Sequence, residues 1–271
     1  MRYVKLTFQY MCNKHFWKLA LMVLVPSVAI SFFSSFGSTA HYLAFFFEQE
    51  DYSFKTVYHH ISELDWKNLL ILIAAAIILS VLLSIYIGTM QRHMRTGTFA
   101  ITNIFKRINE HFIPSLIAVV PIFIMIYLYG LGLTISITVW NLITHNAIAT
   151  LVLSIFSMVL LFLAMLYIIS IFCMVTPHMV VTGARIKDAI VHSLEVTHDN
   201  IFKLFFAFAV PILLILGLQF AVCWINVRVV DIILDSLTML FIGCYYPVLI
   251  FVAYYDMNDK DREDLALINK L

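Results

Sequence analysis

The stretch Phe16–Pro26, "FWKLALMVLVP", decides how this chain is read. A cousin, "IFKLFFAFAVP", runs from Ile201 to Pro211, and a looser one, "HFIPSLIAVVP", from His111 to Pro121. Each is an apolar run that ends on Val-Pro and lies close to basic residues. The whole chain of 271 residues is 62% hydrophobic and only 12% charged, whereas about a quarter of the residues of a soluble domain are charged. Such runs are written for lipid. A net charge of +1 offers no basic footprint for nucleic acid.

Six runs approach or exceed the roughly 20 residues with which a helix crosses a bilayer. They are Leu19–Phe36, Asn68–Met90, Phe112–Leu133, Ala147–Cys173, Leu204–Trp224 and Ser236–Tyr255, and none contains Asp, Glu, Lys or Arg. Backbone groups in lipid must be satisfied within their own segment, so helix is the expected conformation. The expected fold class is all-α, a polytopic membrane protein with six transmembrane helices.

Basic residues set the orientation. With the N-terminus in the cytoplasm, only Lys55, Lys67 and Arg228 of the 17 Lys and Arg fall on outer segments. Both termini are therefore expected to be cytoplasmic. The first run has a basic flank and a small-residue stretch at Gly37–Ala40, as a signal peptide would. It shares Lys-Leu and Val-Pro with the fifth run, and is read as a retained span.

The Val-Pro runs open the first, third and fifth spans. Each follows a segment of helical periodicity: Tyr3, Leu6, Tyr10 and Met11; then Ile101, Ile104, Phe105, Ile108 and Phe112; then Ile186, Ala189, Ile190, Ser193, Leu194 and Thr197. An amphipathic helix of this kind lies in the headgroup plane. The lead-ins "HMRTG" (His93–Gly97) and "HMVVTG" (His178–Gly183) also match. The expected architecture is three tandem hairpins, each preceded by an interfacial amphipathic helix, arranged with pseudo-threefold symmetry. The repeat units are approximately 1–90, 97–173 and 183–255 within a single integral membrane domain, 1–271. Residues 256–271 form a short charged cytoplasmic tail.

A proline inside a helix removes one hydrogen bond and leaves the carbonyl four residues earlier without its amide. Pro26, Pro121 and Pro211 would release the carbonyls of Met22, Ile117 and Ala207. Kinks at these three prolines could line a small cavity, or simply bend the spans to fit their neighbours.

Chemistry is sparse. Ionisable residues inside a span are the usual mark of proton relays and coupled transport, and the six runs have none. Ser80, Ser84, Ser154, Ser157, Gln219 and Thr238 are expected to stitch helices together. The best metal candidate is His59 with Glu63 in "HHISELD", two ligands where three or four must converge. No metal and no cofactor is expected. Trp17, Trp66, Trp140 and Trp224, with Tyr52, Tyr58, Tyr254 and Tyr255, read as an interfacial aromatic belt. The methionines read as gap-fillers between helices.

The stretch Thr176–Phe205, "TPHMVVTGARIKDAIVHSLEVTHDNIFKLF", resembles a pattern in related bacterial membrane families. These include the membrane domain of some glycerophosphodiester phosphodiesterases and free-standing six-span proteins of unknown function. Pro177, Gly183, Ala189, Ser193, Asn200 and Lys203 carry the likeness. It implies a multi-pass protein of the bacterial inner membrane. It carries no phosphodiesterase activity over, because no barrel or acidic metal cluster follows the sixth span. The second unit departs from the pattern, with Asn103 and Arg107 at the positions of Ala and Ser.

The functional expectation is a non-enzymatic membrane protein that organises lipid or a membrane complex at the cytoplasmic face. Anionic lipid headgroups would meet Arg92, Arg95, Lys106, Arg107, Arg185, Lys187 and Lys203, since each cation near an anionic leaflet contributes about 1 kcal/mol. A membrane-protein partner fits the same surface. The alternative is a transporter or channel subunit with a small cavity at the pseudo-threefold axis.

Overall fold

A computed structural model describes residues 2–12, 16–33, 52–61, 66–98, 103–222, 228–260 and 262. In chain order the helices are α1 (Arg2–Met11), α2 (Phe16–Phe33), α3 (Phe54–Ile61), α4 (Trp66–Thr96), α5 (Ile104–Thr144), α6 (Ala147–Phe172), α7 (Val175–Thr182), α8 (Ile186–His198), α9 (Ile201–Val222) and α10 (Arg228–Met257). Among the described residues there is no strand.

Four helical stretches are long and apolar enough to cross a membrane: Leu69–Thr96, Ile104–Thr144, Ala147–Thr182 and Ile232–Met257. A fifth results if α8 and the start of α9, bent by 90° at the intervening turn, are taken as one broken span. In the first expected span, Phe16–Val28 is a shorter apolar helix, and residues 34–36 lie outside the described set. Large apolar side chains stand on the outside of these helices, with Ile148 72% and Phe105 88% exposed. In water such a surface would aggregate. It marks a helical, multi-pass membrane protein.

α4, α5 and α6 pack as successive antiparallel neighbours. The α5–α6 turn is only two residues long. His145 ends α5 in the left-handed conformation, and the Asn146 side chain accepts from the amides of Ile148 and Ala149 to cap α6. That cap satisfies amides which no intrahelical carbonyl can reach. α2 and α1 pack on α10, α9 packs on α6, and α3 packs on α5.

The deepest part of the core is the last half of α10, where Tyr245, Val248, Leu249, Val252, Ala253 and Tyr254 are all fully buried. Tyr254 and Tyr255 are therefore core residues and not part of a peripheral belt. Met90, Met94 and Met174 fill the same interior.

The expected amphipathic helices fare unequally. α1 and α8 are separate helices, as the periodicity predicts. The apolar face of α1 is covered by protein, with Tyr3 and Tyr10 buried in the main core. The second is not separate: the chain from Ile104 runs without a break into the third span, as one helix of 41 residues. On its expected apolar face Phe105 is exposed, whereas Arg107, expected on the polar face, is buried. Ile101 lies outside the described residues.

Candidate functional site at the end carrying the amino terminus

Five contacts gather distant parts of the chain at one end of the helix assembly, here called the near end. The Arg2 guanidinium meets the Asp256 carboxylate at 2.6 Å, tying α1 to the end of α10. Tyr10 on α1 hydrogen-bonds His93 Nδ1 near the end of α4 at 2.9 Å. Tyr254 on α10 meets His178 Nδ1 on α7 at 3.2 Å. Gln91 on α4 donates to the Val180 carbonyl on α7. Arg107 on α5 donates to the Thr89 hydroxyl on α4. At the opposite end, Tyr58 on α3 lies 3.4 Å from the Tyr127 hydroxyl on α5, and Val57 packs with Ile137.

The two lead-in motifs build the same turn. Thr96 bonds back to the Arg92 carbonyl and accepts from the amide of Thr98. Thr182 bonds back to the His178 carbonyl and accepts from the amide of Ala184. Gly97 and Gly183 both have positive φ, 66° and 71°. A side chain is strained in that conformation and glycine is not. In both motifs the histidine then pairs with a tyrosine, although the partners come from α1 in one case and α10 in the other.

The residues spaced along 176–205 also have a mechanical explanation. α6 stops at Phe172, which leaves its last carbonyls without intrahelical amides. The Ile171 carbonyl accepts from both Ser193 Oγ at 2.8 Å and Thr197 Oγ1 at 3.2 Å. Ala189, one turn before Ser193, is fully buried against Val175 and Met179. Lys203 Nζ donates to Asn200 Oδ1 at 2.9 Å. Side chains of α8 thus cap α6, and this holds α8 across the near end.

Of the expected headgroup residues, Arg92, Arg95, Lys106, Arg185, Lys187 and Lys203 are exposed. Lys106 also faces Glu110 one turn on, at 3.8 Å. Arg107 differs: only 6% of it is exposed, and its guanidinium pins α5 to α4. The helices approach closely at that point, since a Cβ on Gly88 would come within 2.6 Å of the His111 ring.

The three prolines are not equivalent either. Pro211 is buried, Pro26 is half-buried and Pro121 is exposed. The Ala207 carbonyl that Pro211 releases accepts from Tyr245 Oη at 3.1 Å, and the next carbonyl, Phe208, accepts from Tyr246 at 2.9 Å. That kink is filled by protein.

Among the small polar residues, Ser80 and Ser84 bond carbonyls of their own helix. Ser157 stitches two helices as expected, accepting from Trp140 Nε1 at 2.8 Å. Ser154 Oγ is buried without a hydrogen-bond partner. Among the described residues no group of three or more His, Cys, Asp or Glu could hold a metal ion. Glu63, the Gln219 side chain and Trp224 lie outside the described set.

Sequence reading missed the histidine contacts at the near end. His93, His111, His178 and His192 lie on four different helices, and the imidazoles of His178 and His192 stack with centroids 3.9 Å apart. The repeated His-Met pair was the available signal.

No family model, no curated protein and no solved structure matches the chain.

Proposed function

We infer that the chain is a non-enzymatic, six-span protein of a bacterial inner membrane that gathers anionic lipid, or an acidic membrane-protein partner, around its cytoplasmic end. Six exposed cations on the near end carry this reading: Arg92, Arg95, Lys106, Arg185, Lys187 and Lys203. They come from the ends of α4, α5, α8 and α9, and none is buried in the helix assembly.

Six crossings by α2, α4, α5, α6, α9 and α10 agree with contacts that put α1, the end of α4 and the end of α10 together. The shared Thr-Gly turns support a repeated hairpin unit, and the residues at 183–203 that carry the bacterial resemblance lie where α6, α7, α8 and α9 meet. In a pseudo-threefold arrangement the second unit is the divergent one, because its amphipathic segment is continuous with the span.

Native mass spectrometry of the detergent-extracted protein tests the lipid reading. Arg92→Gln/Arg95→Gln/Lys106→Gln should retain phosphatidylglycerol roughly a hundredfold less than the parent chain, at about 1 kcal/mol for each of the three cations removed, and zwitterionic lipid equally well. Unchanged retention of the anionic lipid overturns it. Solute flux through the protein in liposomes would instead establish the channel reading.

A further inference from the structure

We propose that His178, with the His192 ring stacked on it, is a proton-responsive fastener for the segment that follows α10. The argument starts from which groups can donate. Lys260 Nζ lies 3.0 Å from Tyr254 Oη, and an ammonium only donates, so the tyrosine oxygen accepts from it. The tyrosine's own proton is then free to go to His178 Nδ1, 3.2 Å away. That relay requires an imidazole with a bare Nδ1, which is a neutral ring.

Protonating His178 reverses the logic. Nδ1 becomes a donor, the Tyr254 proton loses its acceptor, and two cations crowd one phenol oxygen. His192 adds to the constraint: its ring stacks on His178 at 3.9 Å, and its Nε2 is buried without a hydrogen-bond partner.

The surroundings offer little compensation. α8 contributes His192 and Asp188, whose carboxylate is the one negative charge acting on His178 among the described residues. α10 and its extension contribute Tyr254 and the opposing charge of Lys260. α4 presents an uncharged Gln91, and α5 presents Ile117 to the cluster beside α7. The lysine also lies over the Tyr254 ring, 4.9 Å from its centroid.

What the relay holds is the chain after α10. Two residues beyond Lys260, the Arg262 guanidinium lies over the Tyr10 ring at 5.9 Å. The Asn258 and Lys260 amides bond the Tyr254 and Tyr255 carbonyls. The fastened state has a neutral His178 and binds fewer protons than the released one. It is therefore favoured as pH rises and lost as pH falls through the histidine range.

Hydrogen–deuterium exchange of the full chain in nanodiscs tests this. After correction for intrinsic rates, the peptide covering 254–262 should lose protection roughly fivefold between about pH 7.5 and about pH 5.5. His178→Asn keeps an acceptor for Tyr254 but cannot titrate in this range, and should hold its protection at both pH values. Tyr254→Phe should show the low protection already at the higher pH. Should the asparagine variant fail to fold, His192→Asn, which breaks no hydrogen bond, should lessen the loss. Equal protection of the parent at both pH values overturns the proposal, as does an undiminished pH response in the histidine variant that folds.

Discussion

Tyr245 donates its hydroxyl, at 3.1 Å, to the carbonyl of Ala207, the one that Pro211 leaves without an amide. A proline in α9 and a tyrosine in α10 therefore form a lock and its bolt. The proline creates an acceptor deep in the interior, and the tyrosine, itself fully buried, satisfies it. The adjacent Phe208–Tyr246 ring stack, with centroids 5.2 Å apart, closes the same joint.

Removing the bolt should cost stability. Tyr245→Phe leaves a carbonyl unsatisfied in the core, at a cost of about 1 kcal/mol. Pro211→Ala restores the amide, so in the double variant the tyrosine change should cost measurably less. Thermal unfolding in detergent of the four proteins of this cycle gives the coupling. Additive losses would mean that the hydroxyl and the proline act separately.

Gly243 is a contact between α10 and α2. A Cβ there would lie 2.6 Å from Val23 Cγ1, and valine has little rotamer freedom in a helix with which to yield. Gly243→Ala should lower stability by about 1–3 kcal/mol through overpacking. Val23→Ala made together with it should recover part of that loss.

The double hydrogen bond to Ile171 predicts a local effect. Ser193→Ala with Thr197→Val removes both donors to the end of α6. Exchange of the amides of α8 should speed up roughly tenfold, about 1.4 kcal/mol of local opening, while those of α10 stay protected. Equal loosening of both helices would show that α8 is not an independent flap.

α1 provides a pH dependence whose sign can be worked out. Burial first, and the charge of Asp256 second, raise the Tyr3 phenol above its usual range, with Arg2 partly offsetting them. The docked helix thus prefers the neutral phenol. Docking is complete below the ordinary tyrosine range, near pH 10, and weakens as pH rises beyond it. Limited proteolysis near Met11 should accelerate at high pH in the parent chain. Tyr3→Phe should remove that acceleration.

The apolar runs at 68–90 and 147–173 were legible because length and uncharged composition alone specify a lipid-crossing helix. Gly183, Ala189 and Ser193 were legible because a helix stop, a close contact and a capping hydroxyl each demand one small residue type. The joint at Ala207 was half legible: Pro211 announced a free carbonyl, but its filler lies 38 residues away on another helix. The histidine pairs were hidden for the same reason, since Tyr10 and His93 are 83 residues apart. The second amphipathic segment misled because its period suits an interfacial helix and the start of a long span equally well. Only packing on Thr89 and Gly88 decides that Arg107 turns inward.

The unbroken α5 has a bearing on how the molecule sits in its membrane. At 1.5 Å per residue its 41 residues measure about 60 Å, twice the depth of the hydrocarbon layer. No moderate tilt can hide such a rod, so it projects from the layer and carries α3 with it. Vertical registry must come from the shorter helices around it, and lipids of different tail length should leave this one largely undisturbed.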